Sequence, residues 1–447
     1  MAKTLLQNYL DWNDPGNLGK NLKSFIDILG DFYFTAPSIF FADHHAKSNS
    51  NTYMYRFTLN PSLRSLVYDP PEYPGKVGAD HGDELPFVFG YPLLEEGLTP
   101  DASQVDKELS YDMIRYWTNF ARFGIEMVSC KGAQNWKEQM RSLRIHQKAH
   151  VKVGEGLVDV YTNIPYAKPP VGELRFQHPE LPEPWQGIRD GTVTPPACIQ
   201  PISPEVSLLQ DLTDVSEDCL YLRIHAPREE NKTDLLPVLV FIDGKDFRHA
   251  DGVHLDLSNL AAFGKMVVVT LNYRLGSLGF FSTGLNTDVT GNYGLGDIIS
   301  ALTWVQKNIA NFGGDPERVT LGGQESGAIS AHILLFVPQS EGLFHQMLSF
   351  GGSALQPSAV DYIEGRLEKV KTFIEDVGCP TLPYQAMMTC LYSKPAHVFA
   401  TQNLTHMPDV NFGPVIDRVF ITDDMTKLAE DKGSIMWTLC LATTKTT

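Results

Sequence analysis

The sequence predicts an α/β protein with a mostly parallel central sheet flanked by helices, and three observations predict it. Residues 238–242, 266–272 and 319–321 are short apolar or β-branched runs, each entering a glycine-containing turn. Between and after them run helical periods: Ile298, Leu302, Val305 and Ile309 up to the stop at Gly313-Gly314, then Leu367, Val370, Phe373 and Ile374. Strands that alternate with helices imply parallel pairing with both sheet faces covered. The length, 447 residues at 43% hydrophobic content, suffices for one large α/β domain or two to three smaller ones.

Three regions follow one another along the chain. In residues 1–125, Leu18, Leu22, Phe25, Ile26 and Leu29 share one helical face, and residues 52–57 alternate like a half-buried strand. A second helix is expected after Ser110 as N-cap, with Met113, Ile114, Trp117, Phe120 and Ala121 on one side and Gly124 at its end. Residues 126–147 carry no strong period and read as a junction. From 148 to 447 the strand–turn–helix pattern holds. There is no internal repeat and no low-complexity tract.

Composition excludes several functions. Thirty-six Lys and Arg against 53 Asp and Glu leave a net charge of −17, which disfavours nucleic acid and anionic lipid. The apolar runs at 235–242 and 266–271 are too short to span a membrane, so no transmembrane segment is expected. The start has no basic region followed by an apolar core, and so no secretory signal. Yet Cys198 with Cys219, and Cys379 with Cys390, each flank a short loop, as disulfides of an oxidising compartment do. Asn231 and Asn403 fit the N-glycosylation pattern. Extracellular-type features without a leader suggest a chain incomplete at its beginning. No metal is expected, since the histidines, the His44-His45 pair included, lack spaced partner ligands. No glycine motif suits a dinucleotide, so no cofactor is expected.

The segment Val319-Thr-Leu-Gly-Gly-Gln-Glu-Ser-Gly-Ala-Ile-Ser330 reads as a strand, a sharp turn and a helix. Such a turn pinches the backbone two residues either side of its apex and needs small residues there. Gly323 and Gly327 meet that need around Glu325. Ser326 comes one position late, flanked at the same distance by Gln324 and Ala328.

The surroundings resemble the type-B carboxylesterases, the α/β-hydrolase family that includes the cholinesterases and the cholinesterase-like adhesion proteins. The resemblance rests on Asn163-Ile-Pro-Tyr-Ala-Lys-Pro-Pro-Val-Gly-Glu-Leu-Arg-Phe176, Ser216-Glu-Asp-Cys-Leu-Tyr-Leu222, Asn272-Tyr-Arg-Leu-Gly276, Gly291-Asn-Tyr-Gly294 and Asn311-Phe-Gly-Gly-Asp-Pro316. These stand in the family's order, as do the two cysteine pairs. Residues 1–125 resemble the family's C-terminal part instead, through Gly78-Ala-Asp-His-Gly-Asp-Glu-Leu-Pro-Phe-Val-Phe-Gly90 and Tyr116-Trp-Thr-Asn-Phe-Ala-Arg122. The family's end therefore precedes its beginning, as expected of a boundary between tandem copies or, less favoured, of a circular permutant. With tandem copies, the two regions need not share a site.

The resemblance implies an α/β-hydrolase with a serine nucleophile, a histidine base, a carboxylate that orients the histidine, and backbone donors for the oxyanion. His81 matches the histidine. Glu325 stands in the nucleophile position, where its charge opposes formation of a second anion close by. The oxyanion loop falls at Gly244, Lys245 and Asp246, after Asp243, where the family carries glycines. The residue after the nucleophile, Ser326, would supply a further donor. The acid position aligns with Thr447. These departures together predict a site without hydrolytic use, in a domain that binds a protein partner in the adhesion manner or a small ester ligand, extracellularly or in the secretory lumen. The alternative is an active carboxylic ester hydrolase that uses Ser326 as nucleophile.

Overall fold

The computed structural model describes residues 24, 26–47, 51–57, 82–93, 102–124, 149–153, 156–183, 189–201, 214–228, 234–285, 287–357, 359–400, 412–431 and 438–444. His81, Thr447, Asn231, Asn403 and the junction at 126–147 lie outside them.

One nine-stranded sheet organises the chain. Its strands are β1 (Thr52–Phe57), β2 (Ala149–Val153), β3 (Gly156–Pro165), β4 (Tyr221–Pro227), β5 (Leu236–Ile242), β6 (Val267–Leu271), β7 (Gly314–Gln324), β8 (Gln346–Phe350) and β9 (Thr438–Thr444). Their spatial order is β1-β9-β8-β7-β5-β6-β4-β3-β2. From β1 to β6 across that order every pairing is parallel. Beyond β6, through β4, β3 and β2, every pairing is antiparallel. The sheet is therefore mixed and largely parallel, as the alternation of strands and helices predicts.

The strand from the first region and the last strand of the chain pair directly: Thr52 lies opposite Leu439 and Phe57 opposite Thr444. The two regions thus build one sheet. Their apolar layers are shared too. Along β5 and β6 the pleat sends alternate side chains to opposite faces. Val238, Val240, Ile242, Val267 and Val269 enter one core, while Leu239, Phe241 and Val268 enter the other. This second core is roofed by the helix α2 (Gln104–Phe123), which contributes Met113, Ile114, Trp117, Phe120 and Ala121. Trp117 packs edge-on against Tyr55 of β1 at 4.7 Å and against Phe350 of β8 at 5.2 Å. On the other face the helix α1 (Ala36–Ala46) sets Phe41 3.7 Å from the buried ring of His332.

The α2 helix starts earlier than expected. Ser103, not Ser110, is its N-cap, in a capping box closed by Asp106. Ser110 lies inside the helix, fully buried, and donates its hydroxyl to the Phe87 carbonyl at 2.7 Å. The serine signal was real at both places, but burial against Phe87 put the second to a packing use. Gly124 does end the helix, in the left-handed conformation. Leu29 and Leu367, expected on buried faces, are exposed. A π turn at Asp31–Thr35 follows Leu29.

The signature segments of the sequence hold one another. Arg175 makes a bidentate pair with Glu217, both contacts at 2.7 Å, and Arg274 grips the fully buried Asp297 through Nε at 2.8 Å and Nη2 at 2.7 Å. Disulfides join Cys198 to Cys219 and Cys379 to Cys390.

Candidate active site

Glu325 sits at the carboxyl end of β7, between that strand and the helix α3 (Ser326–Leu334). Its backbone has φ 49° and ψ −113°, outside the comfortable regions for a residue with a side chain. The neighbours leave it no alternative. A Cβ on Gly323 would lie 2.4 Å from the Gly327 carbonyl carbon, and one on Gly327 would lie 2.1 Å from the Ile242 carbonyl oxygen. A Cβ on Gly352 would reach within 2.2 Å of the Glu325 carbonyl oxygen. The strand, the turn and the helix are pressed together as the glycine spacing implies, and Glu325 is the apex. Its N–H donates to the Phe350 carbonyl at 3.0 Å, and its carbonyl accepts the Ile329 N–H at 2.8 Å.

Facing the apex is the loop after β5. Lys245 donates its N–H to the His249 carbonyl at 2.8 Å, and His249 returns the bond at 3.1 Å, closing a tight turn. Within that turn Asp246 and Phe247 both have positive φ, 55° and 56°. The conformation that glycine makes easy is thus imposed on two residues with side chains. Gly244 is the loop's point of closest approach. A Cβ there would lie 2.5 Å from Ser326 Oγ and 2.8 Å from the Tyr273 hydroxyl. The Gly276 N–H holds the Phe247 carbonyl at 2.8 Å from the other side.

The consequence is a specific pair of contacts. The Asp246 N–H donates to Glu325 Oε2 at 2.7 Å, and the Ser326 N–H donates to the same oxygen at 2.5 Å. One backbone donor from the loop and one from the residue after the apex converge on a single carboxylate oxygen. Burial and the nearby Asp246 charge push the Glu325 carboxyl up to about 7, against the pull of these two donors. Behind the loop, Asp243 accepts the Asp251 N–H at 2.9 Å, and burial raises its carboxyl to about 6.

Of the residues singled out in the sequence, Glu325, Ser326, Gly244, Lys245 and Asp246 come together here. Ser326 is fully buried beneath the elbow, its hydroxyl side by side with that of Tyr273. Of the three loop residues, Asp246 aims its N–H at the apex, Lys245 closes the turn and Gly244 supplies the room. His81 lies outside the described residues, but Gly82 next to it abuts the elbow: a Cβ on Gly82 would lie 3.3 Å from Gln324 Nε2. Sequence reasoning passed over Tyr273. Its position just past β6, at the same sheet end as Glu325, was a usable signal, since sites of such sheets lie at the carboxyl ends of strands.

A model of the carboxylesterase family matches the chain twice, over residues 1–151 and over residues 146–446. A pyrethroid hydrolase of Rattus norvegicus is 39% identical over 290 residues, 62% of this chain and 50% of the relative. Neuroligin-3 of Mus musculus is 40% identical over 312 residues, 62% of this chain and 38% of the relative. Cocaine esterase of Homo sapiens is 39% identical over 280 residues, 61% of this chain and 49% of the relative. The chain spans about half the length, or less, of these curated relatives.

Proposed function

The chain belongs to the carboxylesterase family, and from that premise we propose that its hydrolase site is silent toward carboxylic esters and that the domain serves in binding. The observation that carries the reading is the Glu325 carboxylate itself. Acyl transfer requires the substrate's carbonyl oxygen to enter a pair of backbone donors as it becomes an anion. Glu325 Oε2 already takes both of them, from Asp246 and Ser326. An ester would have to displace a charged acceptor and then develop its own negative charge beside it. Ser326 offers no way round, because it is fully buried under the turn that would have to present it.

The binding role draws on the relatives, which carry the names of hydrolases and of neuroligins alike. Its occupant is a protein partner of the adhesion kind, with a small ester ligand as the alternative. The pairing of β1 with β9, and the roof that α2 places over β5 and β8, support a reading in which 1–125 and 148–447 build one α/β-hydrolase domain in permuted order. In this reading the permuted order is preferred to a boundary between tandem copies. The two disulfides suit folding in the secretory pathway. Among the described residues no helix is long and apolar enough to cross a membrane.

The test is turnover of p-nitrophenyl acetate by the purified chain, together with labelling by a serine-directed phosphonate. Neither is expected. Turnover accompanied by phosphonate on Ser326 would falsify the silent-site reading.

A further inference from the structure

We propose that the loop from Asp243 to Asp251 is a proton-operated latch: in acid it stays closed on Glu325, and as protons leave toward alkaline pH its closure weakens and it opens. The inference goes beyond the silent-site reading and does not depend on it, because it concerns what holds the loop and not what the site turns over.

The loop is strained, and its fastenings end on carboxyl groups. Asp246 and Phe247 hold positive φ without being glycine, so the closed shape is one that its own residues disfavour. At the tip, the Asp246 N–H donates to Glu325 Oε2 at 2.7 Å. At the base, the Asp251 N–H donates to Asp243 Oδ2 at 2.9 Å and ties the two ends together. Asp251 is itself buried, with His254 Nδ1 at 2.5 Å from its Oδ1. Other contacts do not respond to pH. The Gly276 N–H holds the Phe247 carbonyl at 2.8 Å, and the Phe247 ring packs edge-on against Phe280 at 5.1 Å. Gln200 accepts the Ala250 N–H at 3.3 Å and donates to the Ala250 carbonyl at 2.7 Å. These contacts set how tightly the loop closes at any pH, and the carboxyl groups set how that tightness changes.

The ionisable groups around these fastenings fix the sign. Among the described residues, Glu325 faces Asp246 of the tip and Tyr273. Asp243 faces Asp251, Tyr273 and, from the turn Tyr91–Leu93, Tyr91. Asp251 faces His254 and Arg223 of β4, and Arg223 is shared with Asp256. Burial outweighs the cations and the backbone donors. It raises the Glu325 carboxyl to about 7 and that of Asp243 to about 6, and it raises Asp251 as well. An open loop returns these groups to water and to their ordinary values, so the closed loop holds its protons longer. The carboxyl contribution to closure is whole below about 4 and is lost as pH rises through about 6 and then about 7. His249, on the loop beside Lys245, Arg248 and Asp246, acts the other way: burial lowers it from 6.5 to about 4, so the open loop takes up its proton first and acid favours opening there. Two carboxyls outweigh one imidazole, and the opening equilibrium should rise about tenfold from about pH 5 to about pH 8.

The test is hydrogen exchange of the purified full chain, read by mass spectrometry over residues 244–251 and over the β5 residues 236–242, with each rate divided by the intrinsic rate at that pH. The loop segment should exchange more readily than β5 at every pH, since it opens on its own. Its opening should rise about tenfold between about pH 5 and about pH 8. The double variant Asp243→Asn with Glu325→Gln keeps an oxygen for each donor and removes both titrations, so the rise should disappear or, with His249 left in place, reverse. His249→Gln alone should steepen it. In the unaltered chain, a loop whose opening is flat or falls over this range, or that exchanges no faster than β5, overturns the proposal, and this measurement decides even where a variant does not fold. A rise that persists in a folded double variant overturns it as well.

Discussion

Glu325→Gln is expected to make the protein more stable above neutral pH and to leave its stability in acid nearly unchanged. Burial, with the Asp246 charge beside it, raises the carboxyl from 4.5 to about 7. The difference, 7 minus 4.5, is about 2.5 pH units, or roughly 3 kcal/mol at 1.36 kcal/mol per unit. Partial exposure lowers the working figure to about 2 kcal/mol. The sign follows from which state holds the proton longer. The folded state does, so the protonated group's contribution is whole below about 4.5 and is lost as pH rises through about 7. Glutamine stays neutral throughout and still offers an oxygen to the Asp246 and Ser326 N–H groups. Urea unfolding of both proteins at about pH 4 and about pH 8.5 reads the difference directly. Asp243 and Glu84, whose carboxyls burial also raises, are common to both proteins and cancel to first order. A gap that stays constant with pH, or a glutamine variant less stable at high pH, would show that the two donors outweigh burial and would refute the electrostatic account of the site.

Three further substitutions probe the frame around the apex. Trp117→Ala empties the space between Tyr55 and Phe350 and should cost about 3–5 kcal/mol in urea unfolding; a cost under about 1 kcal/mol would mean that α2 does not roof the sheet. Gly327→Ala puts a methyl group against the Ile242 carbonyl oxygen and should cost at least about 3 kcal/mol, read from the same unfolding curves; a neutral result would contradict the pinched elbow. Asp297→Ala leaves the Arg274 guanidinium buried without its carboxylate and should cost about 3–5 kcal/mol, whereas replacing Arg274 and Asp297 together by apolar residues should recover part of the loss.

The sheet was legible wherever strands are buried on both faces. The runs at 238–242 and 266–272 hold so little but apolar side chains that a parallel interior was the economical reading, and β5 and β6 are such strands. The elbow was legible because its constraint is local: Gly323 and Gly327 are small for reasons that lie within a few residues of them. What escaped was everything set by distant contact. Nothing in residues 52–57 announces that β1 pairs with β9 rather than with a strand of another copy, because partner choice in a sheet is made by the whole layer. Ser110 has the look of a cap, but Phe87, 23 residues away in sequence, accepts its hydroxyl. The destination of the Glu325 carboxylate was hidden for the same reason, since its partner at Asp246 is 79 residues away in sequence.

That contact changes how the departures from the family pattern should be counted. Read along the chain, a glutamate at the apex and an aspartate in a glycine loop are two separate losses. In space they are one assembly. Asp246 and Phe247 hold positive φ without glycine, a conformation that costs each of them roughly 1 kcal/mol or more. Glu325 pays the same kind of cost at φ 49°. Against these stand the bonds from Asp246 and Ser326 to the carboxylate, and hydrogen bonds to a charged group contribute about 1.5–3 kcal/mol each. The carboxylate is thus able to fasten the loop in a shape that the loop's own residues disfavour, and the loop supplies the donor that lets a buried carboxylate persist. A serine at the apex would be too short to bridge to the loop in this way. The two residues therefore support each other, and the two backbone donors keep converging because their acceptor is built into the chain.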